Sequence, residues 1–210
     1  MPHSLHEYNN TIFHEMMSHP ALFTHPHPKK VVIIGDEDSK ILQEVIKHDH
    51  LVEIVSINKT ISATMPANSK VQMHSGDLSD WLKKAAPHSV DIIIHAAPAH
   101  DELFKKFFTL LSNNGILIQQ SVSPFELTAI KSAADQLRQN GFQDQQVLNF
   151  PQPSFSSGWR SIIMAAKHIG FKRIREKAIF TRSFKTYYYN LDTHKASLVL
   201  PEFMREELTL

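Results

Sequence analysis

The acidic residues that follow the first predicted strand are well placed to hold a cation. Asp36, Glu37 and Asp38 come directly after Lys30–Gly35, a short β-branched segment that ends in a single glycine. Such a segment is typical of the first buried strand of a nucleotide-binding α/β domain, in which a glycine-rich turn usually follows. Acidic side chains occupy that turn here, so this acidic cluster could attract a positively charged ligand. Asp38 could instead cap the next helix.

Histidines supply the candidate groups for proton transfer. His14 lies in the first predicted helix, and His95 and His100, with Asp101, flank a later strand end, where they could form an acid–base pair. Histidines that are satisfied by backbone groups or by solvent are the alternative. Six of the 14 histidines fall in the first 27 residues, but their spacing matches no metal-binding motif, so we expect no metal site.

Size and composition exclude several classes of function. A chain of 210 residues suits one α/β domain, and a net charge of +1 without blocks of like charge indicates neither a nucleic acid nor an anionic membrane as partner. The absence of cysteine excludes disulfides, thiolate metal sites and cysteine nucleophiles. The sequence shows no membrane-spanning apolar segment and no signal peptide, so we expect a cytoplasmic protein.

Strand and helix signals alternate along most of the chain, which predicts an α/β fold with a doubly wound, mostly parallel sheet. The predicted strands are Lys30–Gly35, Val52–Asn58, Val71–Gly76, Val90–Ala96 and Gly115–Ser121. The predicted helices are Leu5–Met17, Asp38–His48, Leu78–Ala85, Asp101–Ser112 and Ser123–Asn140, the last with a Ser-x-x-Glu capping box. The carboxyl ends of such strands share one edge of the sheet, where ligands bind.

The pattern becomes β-rich after Gly141, which predicts antiparallel edge strands. The predicted strands here are Val147–Phe150, Arg160–Lys167, Ala178–Thr181 and Lys185–Tyr189, before a final helix over Pro201–Leu208. We predict an N-terminal helix and entry loop over residues 1–29, followed by one domain over residues 30–210.

Several segments, taken in order, resemble the spermidine synthases, the polyamine aminopropyltransferases. They include Phe13-His14-Glu15-Met16, His19-Pro20-Ala21-Leu22-Phe23, Ile41–His48, Gly115-Ile116-Leu117, Ser157-Gly158-Trp159 and Tyr188-Tyr189-Asn190. The resemblance covers nearly the whole chain, and it implies a Rossmann-like, methyltransferase-type domain. Met1 falls just before the helix that carries His14, so we expect the amino-terminal β-domain of that family to be missing.

The resemblance also implies an activity and a set of site residues. The family binds decarboxylated S-adenosylmethionine and a diamine, and transfers an aminopropyl group to the amine. The donor is a co-substrate, and no cofactor is implied. By resemblance and position, the catalytic candidates are His14 and His95; the donor-binding candidates are Gly35, Asp38, Ser56, Gly76 and Asp77; and the acceptor-binding candidates are Phe13, Gln120 and Phe155.

Many of these positions depart from the family's motifs. Gly35 and Asp38 alone remain of a Gly-Gly-Gly-Asp-Gly-Gly loop, and Ser56 replaces a ribose-binding glutamate. The catalytic Asp-Ser-Ser-Asp-Pro segment aligns with residues 96–100, which carry no carboxylate, and Phe13 and Phe155 replace tyrosines. We therefore expect ordinary spermidine synthase activity to be very low or absent.

Three functions remain open. The chain could be an aminopropyltransferase that uses rebuilt residues on putrescine or another polyamine. It could be a non-catalytic relative that binds a polyamine or nucleoside, or that regulates a complete homologue by assembling with it; a homo-oligomer is also possible. It could be an S-adenosylmethionine-dependent methyltransferase, although the lack of a glycine-rich loop and of a second-strand acid disfavours this. Asp77 could simply cap a helix, and Gln120 could be structural.

Overall fold

The computed structural model describes residues 5–60, 68–97, 101–168 and 173–208. Within this described part, no helix is long and apolar enough to cross a membrane. Seven strands form one sheet in the order β3-β2-β1-β4-β5-β7-β6. The strands are β1 (Lys30–Ile34), β2 (Glu53–Asn58), β3 (Val71–Ser75), β4 (Val90–His95), β5 (Leu111–Gln120), β6 (Asp144–Pro151) and β7 (Trp159–Ala166).

The first five strands are parallel, and β7 is antiparallel to both β5 and β6. The predicted mostly parallel sheet is therefore confirmed, although the reversed strand lies one position inside the edge. The strands of the sheet centre are β-branched on both faces because helices cover both of them. The helices are α1 (Leu5–Thr24), α2 (Lys40–Ile46), α3 (Leu78–Lys84), α4 (Asp101–Leu110), α5 (Leu127–Gln139), α6 (Glu176–Phe180), α7 (Leu191–Ser197) and α8 (Glu202–Glu207).

Two hydrophobic cores lie on opposite faces of the sheet. Side chains of α1, α2, α6 and α7 pack against one face. Side chains of α4, α5 and α8 pack against the other. Alternate residues of a strand face opposite sides, so Ile92 and Ile94 of β4 enter the first core while Ile93 enters the second. This alternation decides which predicted site residues can meet.

Helix α1 continues seven residues beyond its predicted end at Met17, through Pro20. Proline removes one helical hydrogen bond. The next residues, Ala21, Leu22 and Phe23, are buried against the sheet, and this packing offsets the loss. Helix α5 begins four residues later than predicted, because residues 123–126 form a turn that precedes it, in which Ser123 N donates to Glu126 Oε1 and Phe125 N donates to Ser123 Oγ.

Two predicted strands near the C-terminus are wrong. Residues 178–181 lie mostly in the short helix α6, and residues 185–189 form no strand. The buried carboxylate of Glu15 explains the second difference. It accepts hydrogen bonds from the backbone N–H groups of Tyr187 (2.6 Å), Tyr188 (2.9 Å) and Tyr189 (2.8 Å). These three backbone N–H groups therefore bond to a side chain of α1 and are not available to pair with a neighbouring strand.

Buried histidines stabilise the packing of α1 on α2. His19 Nδ1 lies 3.0 Å from His48 Nε2, and His19 Nε2 lies 3.1 Å from the carboxylate of Glu44. Burial lowers the pKa of His48 to about 2, with the nearby His19 contributing. His48 is therefore neutral in the folded protein at every ordinary pH.

We expect this histidine to make the fold sensitive to acid. In the unfolded chain His48 binds a proton below about pH 6.5, whereas the folded state does not bind it until far lower pH. Its contribution to stability is therefore complete above about pH 6.5 and falls by about 1.4 kcal/mol per pH unit below that. Urea unfolding at several pH values should show this slope, and it should be shallower in His48→Gln. The exposed-histidine variant His27→Gln should match the wild type; equal slopes in all three would contradict the assignment.

Candidate active site

A crevice of about 610 Å³ lies at the carboxyl ends of β1, β2 and β3. Gly35, Asn58, Gly76, Asp77 and Ala97 are among the residues that line it. The first residues of the loops after β1 and β3 are fixed to the end of β2 by backbone hydrogen bonds, from Gly35 N to Ile57 O and from Gly76 N to Asn58 O, both of 3.1 Å. This is the edge at which a doubly wound sheet binds its ligands. The structure therefore brings three predicted donor-binding residues together around one cavity.

Gly35 begins the loop from β1 to α2 in a backbone conformation that favours glycine. Its φ is +79°, and a Cβ built there would lie 3.4 Å from the Cβ of Ala97. Gly76 likewise has a positive φ, of 126°, with open space where a Cβ would lie. The two glycines keep the rim of the crevice free of side chains.

Asn58, which was not predicted as a site residue, replaces Ser56 in the crevice wall. Asn58 is 3 % exposed, and its Nδ2 donates to Asp36 O (3.1 Å) and to Ser56 Oγ (3.3 Å). Its Oδ1 is buried and has no hydrogen-bond partner among the described residues. Ser56 is fully buried beneath it and does not line the crevice. The end of β2 thus carries a hydrogen-bond acceptor that no described group satisfies.

Asp77 lies at the rim of the crevice and caps α3. Its carboxylate accepts a hydrogen bond of 2.8 Å from Ser79 N, and this bond lowers the pKa of Asp77. The structural alternative for this residue is therefore confirmed. Its exposed carboxylate also leaves a negative charge beside the crevice.

The carboxylate of Asp36, which the sequence suggested could attract a cation, is buried. It accepts hydrogen bonds from the first turn of α2, from Ile41 N (3.1 Å) and Leu42 N (2.8 Å). Burial nevertheless raises the pKa of Asp36 to about 6. Glu37 stays exposed but accepts hydrogen bonds from Lys59 N and Thr60 Oγ1. The acidic cluster mainly holds the loops together.

His14 and Asp38 form a pair beside the same loop. His14 Nε2 lies 3.6 Å from Asp38 Oδ2, and the side chain of Asp38 is 55 % exposed. The N-cap residue of α2 is Ser39 rather than Asp38, but Asp38 Oδ1 accepts a hydrogen bond of 3.2 Å from Lys40 N, the first residue of the helix. Burial lowers the pKa of His14, while the charge of Asp38 opposes this shift. Neutral His14 can accept a proton at neutral pH, and Asp38 would stabilise the resulting cation.

The two phenylalanines predicted at the acceptor site share an arginine that sequence reasoning missed. The guanidinium of Arg160 lies 4.2 Å from the ring centre of Phe13 and 5.4 Å from that of Phe155. Arg160 belongs to β7, and Gln120 lies nearby in register, at the half-buried end of β5, where it pairs with Ile162. Two of the three predicted acceptor-binding residues, Phe13 and Phe155, thus flank a positive charge.

His95 does not lie with His14. It ends β4 on the face that α4 covers, with its ring centre 5.2 Å from that of Phe107, whereas α1 lies on the opposite face. His95 Nδ1 donates to Gln119 Oε1 at 2.8 Å. His100 lies outside the described residues. In the part of the chain that is described, no group of three histidine or acidic side chains could hold a metal ion.

The seven-stranded sheet with one reversed strand is the Rossmann-like, methyltransferase-type fold. A spermidine synthase structure from Thermotoga maritima matches it with a TM-score of 0.87 at 25 % identity, over 97 % of this chain and 76 % of that one. A spermidine synthase in complex with the transition-state analogue AdoDATO matches with a TM-score of 0.86, also at 25 % identity, over 96 % of this chain and 75 % of that one.

Sequence comparisons identify the family. The family model described as spermine/spermidine synthase domain matches residues 10–177. The polyamine aminopropyltransferase of Methylococcus capsulatus is 36 % identical, over 95 % of this chain and 78 % of that protein. That of Nitrosococcus oceani is 34 % identical, over 94 % and 77 %. The chain belongs to the spermine/spermidine synthase family.

Proposed function

We propose that the chain transfers an aminopropyl group from decarboxylated S-adenosylmethionine to a primary amine. The observation that carries this proposal is the course of the loop formed by residues 35–39. Its first residue, Gly35, lines the crevice, and Asp38 within it pairs with His14. A donor held in the crevice would therefore extend along this loop and bring its propyl group close to His14, which can take a proton from the attacking amine.

The crevice supplies the groups that a nucleoside needs. Gly35 and Gly76 leave room for close approach of a ligand to the backbone, as glycines do at other nucleotide sites. The free Oδ1 of Asn58 can accept a hydrogen bond from a ligand hydroxyl or amino group, which would remove the cost of leaving it unpaired. The exposed carboxylate of Asp77 adds an attraction for a cationic donor.

The reaction joins the amine nitrogen to the propyl carbon attached to sulfur. The carbon–sulfur bond breaks with its electrons on sulfur, so the sulfonium donor becomes the thioether methylthioadenosine. The amine loses one proton, which we assign to His14, with Asp38 stabilising the imidazolium. His95 is assigned no step because it is buried against Phe107 on the face of the sheet opposite α1, which carries His14.

A non-catalytic nucleoside-binding homologue is the second candidate. The end of β4 favours it, because His95 faces the core and the two residues after it, Ala96 and Ala97, are alanines. Binding of methylthioadenosine without turnover of the decarboxylated donor would be the result expected for that function.

The first test is calorimetry and thermal unfolding with methylthioadenosine, decarboxylated S-adenosylmethionine and S-adenosylmethionine. A ligand at a hundred times its dissociation constant should stabilise the fold by about 2.7 kcal/mol. We expect this stabilisation with the first two compounds and less with the third. If none of the three stabilises the fold, the crevice is not a nucleoside site; preference for intact S-adenosylmethionine would indicate a methyltransferase.

We expect Gly35→Ala to weaken nucleoside binding. Gly35 and Ala97 both line the crevice, and the new methyl group would fill the space between them. The positive φ would also strain the loop by about 1–2 kcal/mol. Calorimetry with methylthioadenosine measures the loss of affinity. Gly158→Ala is the matched control, since Gly158 has a φ of 72° but nothing within 4 Å of a Cβ. Both variants should lose similar stability, and equal nucleoside affinities would place the ligand elsewhere.

A further inference from the structure

The guanidinium of Arg160 lacks an anionic partner in the described structure. None of the ion pairs within 4.0 Å among the described residues involves Arg160. Its Nε is buried and makes no hydrogen bond within the described part of the chain. The guanidinium lies over the ring faces of Phe13 and Phe155. Ring faces attract a cation but cannot accept the in-plane hydrogen bonds of a guanidinium fork.

Burial lowers the pKa of Arg160, because it removes water from around the charged guanidinium. Arginine remains charged under all ordinary conditions, so the site carries a permanent positive charge. A carboxylate matches the geometry of this fork, with two parallel N–H···O hydrogen bonds. The arrangement around Arg160 is therefore suited to an incoming anion.

The neighbouring pair, His14 and Asp38, presents a negative charge, in contrast to the positive charge of Arg160. Asp38 is negative and largely exposed, and His14 beside it interacts electrostatically with both Asp38 and Arg160. An acceptor amine belongs beside His14, where its proton is taken. The other end of the acceptor then lies towards Arg160. A diamine would bring a second ammonium group to that end, where two positive charges would repel each other.

We propose that Arg160 makes the acceptor site select an amine that also carries a carboxylate, an ω-amino acid, over a diamine. The amine end lies against His14 and Asp38, and the carboxylate pairs with the guanidinium between the two phenylalanine rings. This inference rests on the proposed function, and it narrows the acceptor to one chemical class. The transfer step is unchanged: the amine nitrogen bonds the propyl carbon, methylthioadenosine leaves, and the product is an N-aminopropyl amino acid.

A matched pair of probes tests the selection. The compounds 4-aminobutyrate and putrescine are of similar length and differ in carrying a carboxylate or a second amine. We expect calorimetry, with and without methylthioadenosine, to give wild-type protein about ten- to a hundredfold tighter binding of 4-aminobutyrate. Arg160→Gln should abolish this preference, and Arg160→Lys should retain part of it, because a lysine keeps the charge without the fork.

Arg205→Gln, at an exposed position of α8, is the control and should bind both probes as the wild type does. Thermal unfolding of each variant establishes that it is folded, and Arg160→Lys remains informative if Arg160→Gln is not. Tighter binding of putrescine by the wild type, unchanged 4-aminobutyrate affinity in Arg160→Gln, or binding of neither probe would overturn the inference. Methylthioadenosine binding is measured in the same titrations, so failure of the acceptor inference is distinct from failure of the nucleoside site.

Discussion

The variant His14→Gln is expected to lose about 10²–10⁴-fold in the rate of aminopropyl transfer, because a positioned base contributes about that much. The pKa of His14 is lowered by burial, so the base is unprotonated throughout the neutral range. The wild-type rate should therefore be constant above about pH 6.5 and fall only at lower pH. Chromatography of the released methylthioadenosine, in reactions run at several pH values, measures both the loss of rate and the pH dependence.

The exposed histidine His27 supplies the control for this experiment. His27→Gln should keep the wild-type rate and pH profile, because the residue is exposed and outside the site. The transfer rate of Asp38→Asn should lie between the rates of His14→Gln and His27→Gln. This substitution removes the charge that stabilises protonated His14 but leaves the base in place. A His14→Gln variant that is folded and retains wild-type turnover would show that another group takes the proton.

The variant Glu15→Ala is expected to lose at least about 3 kcal/mol of unfolding free energy. Three backbone N–H groups, of Tyr187, Tyr188 and Tyr189, would lose their charged acceptor. An unsatisfied buried donor costs about 1–3 kcal/mol, and more where its partner was charged. Urea unfolding monitored by circular dichroism measures the loss.

Glu53→Ala is the matched control for this prediction. The carboxylate of Glu53 pairs with Lys30 at 2.9 Å, but the two side chains are 31 % and 26 % exposed, so the pair should contribute less than about 1 kcal/mol. Losses of equal size in the two variants would mean that the tyrosine segment finds other acceptors when Glu15 is removed.

Local patterns were sufficient to predict most of the sheet. Strands β1, β2 and β4 are short segments rich in β-branched residues and are buried on both faces, so periodicity and turn residues identify them. The false strand at residues 185–189 is Thr- and Tyr-rich, and these residue types also favour strands. Its backbone donors are taken by Glu15, which lies 172–174 positions earlier in the chain. No local pattern contains that contact.

The site was predictable where it depends on strand ends. Gly35, Gly76 and Asp77 follow directly after strands, so parallel topology brings them to one edge. Asn58 was missed because the resemblance pointed to Ser56, two residues earlier on the same face of β2. Asn58 is the last residue of β2, at the edge where ligands bind, and this position could have identified it.

Arg160 was missed for a different reason. It is the charged residue in a strand, β7, that is otherwise largely apolar, and this was the available signal in the sequence. Its significance depends on Phe13, which lies on α1 nearly 150 residues earlier. The spacing of the chain cannot show that contact, whereas the motifs that resemble the family were sufficient to name His14 and Asp38.

The most direct test of aminopropyl transfer is formation of methylthioadenosine from decarboxylated S-adenosylmethionine. Purified chain would be incubated with this donor and, in separate reactions, with 4-aminobutyrate, putrescine or no acceptor. We predict acceptor-dependent release of methylthioadenosine in equal amount to an aminopropylated product identified by mass spectrometry, and its loss in His14→Gln. Binding of the nucleoside without any acceptor-dependent product would contradict catalysis and assign the chain a non-catalytic role.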